Sequence, residues 1–329
     1  MSPDRIQPRW KLVAAFAAVY LIWGSTYLAI AFAIRTIPPL LMAGFRFLLA
    51  GGVLYVWARA SGGPRPDSRH WRTTLVLGAL FFLCGNGAVV WVEQELSSGL
   101  TALLVAMVPL WTALLEWLRP GGERPTGPVI LGLVLGFAGV AFLVAPGHLA
   151  GAEHVNPLWA LMLAGSTLAW AAGSVYSRGA RLPPGSGMVA GMEMLCGGVL
   201  LLLLSAASGD LGRFHPSEVT ARSLVSFLYL AIFGSLITFT AFAWLLKVST
   251  PAKVATAGYV NPMFAVLLGW ALGGEALTLR ALIASVVIIV GVAAIVTGQA
   301  ARRAGGEVAR TIPGPTPVGG PLPSGEAGV

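Results

Sequence analysis

Two ionisable residues lie deep inside apolar runs of this sequence: Arg46 in LLMAGFRFLLAG and Glu193 in VAGMEMLCGG. A charge placed inside a bilayer costs about 2.5–3.5 kcal/mol on insertion scales, so such groups are functional candidates. The Arg46 guanidinium can hold the carboxylate of a bound solute, or it can bond free carbonyls and tie neighbouring helices together. A desolvated Glu193 carboxyl can titrate near neutrality and couple a process to protons; the alternative is a side chain facing a wet cavity or bonded to a neighbour. The two positions are related, because Ala43-Gly44-Phe45-Arg46 aligns with Ala190-Gly191-Met192-Glu193 at an offset of 147 residues. At 1.5 Å per residue each lies about 10 Å from its own membrane face, on opposite sides, so pairing them requires tilted helices or side chains that reach the midplane.

Trp23 and Trp170, also 147 apart, fall near the middle of their runs, too deep for the interfacial belt that suits Trp10, Trp57, Trp71 and Trp159. A midplane indole offers an apolar platform and one N–H donor to an aromatic or cationic solute, or else packs helices. Tyr27 follows Trp23 by one turn on the same face. Asn86, within Cys84-Gly85-Asn86-Gly87, and the pair Tyr259 and Asn261, within YVNP, are further polar groups able to bond a solute or a helix backbone. Pro109 and Pro262 each remove a backbone hydrogen bond and are expected to kink their helices in mid-span, as flex points of gates or as static bends. Gly132, Gly136 and Gly139 form a close-packing face. Glu93, Glu95, Glu123 and Glu275 fall at the ends of runs and are expected to be solvated or capping, with Glu93 placed to attract cations.

The elements that must position these groups are long and apolar. Charged residues make up 10% of the 329 and hydrophobic ones 56%, with a mean hydropathy of +0.80, a composition that excludes a soluble globular domain. Runs long enough to cross about 30 Å of hydrocarbon are predicted at 11–33, 39–58, 73–92, 97–118, 126–145, 157–178, 186–206, 222–245, 251–272 and 278–298. With the N-terminus inside, sixteen of the 21 basic residues fall on the inner side, which predicts both termini in the cytoplasm. The net charge of +8 is then a topology signal and implies no nucleic-acid partner. Cys84 and Cys196 fall inside spans and act as small apolar groups. The Pro- and Gly-rich tail, 299–329, is expected to be disordered.

The same chain of landmarks occurs twice. Trp91, Pro109 and Trp117 recur as Trp244, Pro262 and Trp270 at an offset of 153, and Gly121-Gly122-Glu123 recurs as Gly273-Gly274-Glu275. The units are 11–145 and 157–298, five spans each. An odd number of spans forces the second copy to insert upside down, the arrangement associated with alternating access.

WGSTYLAI (Trp23–Ile30), AGFRFLLAG (Ala43–Gly51), the stretch Ser97–Leu118 and YVNPMFAVLLGWALGGEALT (Tyr259–Thr278) resemble the EamA family of the drug/metabolite transporter superfamily. WVEQELSSGL (Trp91–Leu100) looks most like its YedA/PecM-like branch. The resemblance covers residues 11 to 298. It implies an all-α membrane protein with ten helices in two inverted five-helix repeats and a central cavity lined mainly by the first, third, fourth, sixth, eighth and ninth helices. It further implies export of small metabolites, amino acids or toxic compounds across the bacterial inner membrane.

An intramembrane enzyme is not expected, since all four histidines and all three aspartates fall outside the spans and no Walker A pattern occurs. Neither a metal nor another cofactor is implied. A channel would show a repeated filter or a ring of like charge, and none is visible. The expected protein is a secondary transporter of small organic solutes, as monomer or weak homodimer in the bilayer, with an uncoupled uniporter or exchanger as the alternative and a channel as a minor one.

Overall fold

The computed structural model describes residues 8–119, 124–145, 156–249 and 251–311. Within them ten helices are long and apolar enough to cross a membrane: α1 (Arg9–Ala33), α2 (Pro39–Ala60), α3 (Ser68–Val92), α4 (Ser98–Leu118), α5 (Gly127–Val144), α6 (Pro157–Ser177), α7 (Ser186–Ala207), α8 (Ala221–Leu246), α9 (Lys253–Gly273) and α10 (Leu279–Ala301). No strand occurs among the described residues. Large apolar side chains such as Leu161, Val225, Leu272 and Val286 are exposed on the outer surface. In lipid such a surface is solvated rather than stranded.

Most boundaries fall within a few residues of those read from hydropathy, and two departures have local causes. α3 begins at Ser68, ahead of the apolar run, because Asp67 caps it: its carboxylate accepts the His70 N–H at 2.8 Å, and the Asp67 N–H donates to His70 Nδ1 at 3.2 Å. That backbone bond holds the Asp67 carboxyl below the usual carboxylate range. The last helix continues to Thr311, into the segment expected to lack structure. The sequence of that segment, QAARRAGGEVART, is rich in the helix formers Ala, Arg, Gln and Glu. Residues 312–329 and the first GGE, Gly121 to Glu123, lie outside the described residues.

The proline expectation also changes. α4 is two pieces, Ser98–Val105 and Val108–Leu118, so Pro109 sits in the first turn of the second piece rather than in the middle of a continuous helix. α9 is likewise interrupted at Thr256, between Pro251–Ala255 and Ala257–Gly273, whereas Pro262 does lie inside the longer piece.

Two antiparallel helix pairs, α2 with α7 and α5 with α10, frame the bundle, and both depend on backbone contact. A Cβ on Gly51 would stand 2.9 Å from the Gly191 carbonyl oxygen, and one on Gly198 would stand 3.0 Å from that of Gly44. Gly44 and Gly191 are repeat equivalents, as are Gly51 and Gly198, so the contact is reciprocal. In α5 and α10 a Cβ on Gly291 would meet Gly136 N at 2.7 Å. Small residues allow this approach in lipid, where packing and not hydrophobic exclusion holds helices together.

Candidate functional site

Among the described residues three helices carry a wide, π-type turn: α1 at Ala18–Ile22, α3 at Ala79–Asn86 and α8 at Leu230–Ile237. Such turns displace carbonyls from the regular ladder and are frequent at functional sites. In α8 the Gly234 carbonyl accepts the Trp23 Nε1–H at 3.2 Å, and the neighbouring Ser235 Oγ accepts the Arg46 Nε–H at 2.9 Å. In α3 the Gly85 carbonyl accepts the Ser166 hydroxyl at 2.9 Å, and the Phe81 carbonyl accepts Asn86 Nδ2–H at 3.1 Å. Trp170 lies against Gly85, where a Cβ would be 2.9 Å from its ring. Trp23 and Trp170 therefore each sit on a π-turn of the opposite repeat.

Between these turns lies a cavity of about 290 Å³. Its walls come from α1 (Trp23, Thr26, Tyr27, Ile30), α3 (Gly85, Asn86, Val89), α4 (Ala102, Val105, Ala106, Val108, Pro109), α6 (Ser166, Thr167, Trp170), α8 (Phe239, Phe242) and α9 (Val254, Ala255, Ala257, Gly258, Asn261, Pro262). Those are the six helices that the family resemblance implies. One residue enters from elsewhere, Arg46 of α2, and among the described residues it is the only charged side chain in the lining. Trp23, Phe239 and Phe242 form an aromatic wall with ring centroids 5.3 and 5.1 Å from the indole.

The cavity thus collects Trp23, Tyr27, Arg46, Asn86, Trp170 and Asn261, with Pro109 beside the break in α4 and Pro262 inside the longer piece of α9. Asn261 Oδ1 is buried without a hydrogen-bond partner. The Trp23 N–H is engaged by Gly234, so the indole presents a face rather than a donor. Trp23→Phe is expected to lower stability by about 1 kcal/mol, read as a small drop in melting temperature, through loss of that bond.

Two sequence candidates lie elsewhere. Tyr259 is absent from the lining and stands beside Tyr20 and Thr256. Glu193 is also absent; it is half-buried on α7, whose backbone there packs on Gly78 of α3, and it pairs with no cation among the described residues. The antiparallel α2–α7 contact brings Arg46 and Glu193 to levels within about two helical turns. Direction separates them more than depth, since Arg46 turns toward Ser235 on α8. Sequence reading missed Phe239, Phe242, Ser166 and Thr167. The Phe pair at i, i+3 in TFTAF was the available signal for the first two.

The basic residues mark one end of the bundle as arginine-rich, and the cavity reaches toward it: Ala255, in the lining, is exposed. Toward the arginine-poor end the lining closes on Ile30 and Ala102, 3% and 0% exposed. Beyond that closure Glu275 crosses from the α9–α10 connection to cap α4. Its carboxylate accepts Ser98 N–H at 2.8 Å, Ser98 Oγ–H at 2.6 Å and Gly99 N–H at 3.0 Å. A negative group on a helix N-terminus satisfies orphan donors and complements the dipole. At the same end Arg280 donates to the Phe142 and Ala145 carbonyls at the C-terminus of α5. Glu93, expected to be solvated or capping, is instead buried with neither oxygen hydrogen-bonded.

Ten apolar helices around a solute-sized cavity fit a polytopic membrane transporter. The chain belongs to the EamA-like transporter family, which matches residues 10–145 and 157–297, one match per repeat. It is 38% identical over 301 residues to the uncharacterized inner membrane transporter YedA of Escherichia coli (strain K12), covering 90% of this chain and 94% of YedA. It is 30% identical over 257 residues to the protein PecM of Dickeya dadantii (strain 3937), covering 76% of this chain and 80% of PecM. A solved crystal structure with 24% identity superposes with a TM-score of 0.60 over 91% of this chain and 99% of that one, a likeness of fold.

Proposed function

We propose that this chain is a secondary transporter of the bacterial inner membrane, with both termini cytoplasmic, that exports small organic solutes by alternating access between two inverted repeats. The antiparallel packing of equivalent helices α2 and α7 supports the inversion, and the basic bias supports the arginine-rich end as the cytoplasmic one. The observation that carries the reading is a central cavity walled by aromatic rings, with Arg46 as the single charge of its lining among the described residues.

That lining favours a solute with an apolar or aromatic body and a carboxylate. Trp23, Trp170 and Tyr27 supply ring faces, Arg46 the anchor, and Asn86 and Asn261 orienting amides. Pro109, beside the break in α4, and Pro262, inside α9 beyond its break at Thr256, stand where the two ends would hinge. Glu193 lies outside this arrangement, so the cavity offers a lipophilic cation no counter-charge.

A melting-temperature screen of the purified protein against aromatic carboxylates, neutral aromatics and lipophilic cations tests this, because a ligand that binds only the folded form raises its stability. Carboxylates are expected to stabilise, and Arg46→Gln to remove that gain, a loss of about tenfold or more in affinity for one charge-assisted contact. Stabilisation by cations alone would overturn the anchor. Saturable counterflow of the hit compound in proteoliposomes separates a carrier from a channel.

A further inference from the structure

Glu93 is an ionisable residue that the cavity does not use. It follows the last residue of α3, is 6% exposed, and both carboxylate oxygens are buried without a hydrogen-bond partner. Among the described residues, the titratable and charged groups within electrostatic reach are Tyr27 on α1, Arg46 on α2 and Glu275 in the α9–α10 connection. Burial pushes the Glu93 carboxyl well above the usual carboxylate range, the Glu275 charge pushes it further, and Arg46 opposes both.

The two glutamates at this end have opposite surroundings. Glu275 receives three hydrogen bonds on a helix N-terminus, an environment built for a carboxylate anion. Glu93 receives none, and a charge left there would be buried, unbonded and facing a second negative charge.

We propose that Glu93 carries a proton while the arginine-poor end is closed and releases it to water when that end opens, so that rising pH favours the open conformation. The exchange is a plain acid dissociation, from carboxylic acid and water to carboxylate and hydronium. This proton site concerns the conformational equilibrium and stands whether or not the cavity carries the solutes proposed above.

The test uses the full chain with Cys84→Ala and Cys196→Ala, and with Leu96→Cys as reporter; Leu96 is 4% exposed at this end. The protein is placed in phosphatidylethanolamine–phosphatidylglycerol vesicles and labelled with a membrane-impermeant maleimide, with and without the further substitution Glu93→Gln. The readout is the labelling rate of the glutamate chain divided by that of the E93Q chain at the same pH, which cancels the thiol's own ionisation. This ratio is expected to rise about fivefold or more between pH ~5 and ~9. A ratio that stays flat overturns the proposal. Folding is checked by melting: a folded-state carboxyl that titrates above its unfolded value costs stability as pH rises through the interval between the two, and E93Q escapes that cost. An E93Q chain that melts below the wild type at alkaline pH also overturns it, since a neutral side chain is what the closed end requires.

Discussion

Glu275→Ala is expected to destabilise the closed arginine-poor end by about 3 kcal/mol or more, because it strands the Ser98 and Gly99 N–H groups and the Ser98 hydroxyl together. Ser98 and Gly99 are themselves buried, so water does not replace the carboxylate while the end stays shut. The cost is relieved only by opening or unfolding. A fall in melting temperature of several degrees should therefore accompany faster labelling of a cysteine at Leu96. Glu275→Gln keeps an acceptor oxygen and should lose about half as much. If Glu275→Ala changed neither melting nor labelling, the carboxylate would not be what holds this end.

The second large effect is expected at neighbouring glycines of one helix. Gly51→Leu places its Cβ about where Met194 Cβ and the Gly191 carbonyl already are, 2.8 and 2.9 Å away, and backbone cannot move aside as a side-chain tip can. Separation of α2 from α7 along the contact should cost about 3 kcal/mol or more and sharply reduce the yield of folded protein in the membrane. At Gly52 an added Cβ meets nothing within 4 Å, so Gly52→Leu should be tolerated and should change stability by less than about 1 kcal/mol. Size-exclusion profiles and melting curves of the two variants make the comparison. Equal behaviour would mean that α2 and α7 do not pack as described.

Much of the architecture was legible without coordinates, for one reason. In lipid a backbone must satisfy its own hydrogen bonds, so an apolar run of sufficient length has one structural outcome, and hydropathy alone placed ten helices. The doubled Trp and Pro landmarks identified the repeat, and the repeat pointed to the central tryptophans and to Arg46, all of which line the cavity. The departures arose where a local cap, a break or a side chain's direction decided the matter. Asp67 lengthened α3 at its start, and α4 broke ahead of Pro109 rather than bending at it.

Glu93 and Glu193 show the limit most plainly. Position along the chain marks Glu193 as buried in a span and Glu93 as a residue at a helix end, and it points to the first as the proton carrier. The structure puts Glu193 away from the cavity and Glu93 in an unbonded, enclosed site facing Arg46 and Glu275. Depth along a helix follows from counting residues at a fixed rise. Orientation around the helix, and the arrival of a partner 177 residues away as Glu275 arrives at Ser98, follow only from how the helices pack. Hydropathy and repetition were enough for the class of protein and its helices, because a membrane leaves an apolar chain few alternatives. Which charges share the interior was settled by folding, because it depends on contacts between helices that no periodicity along one chain records.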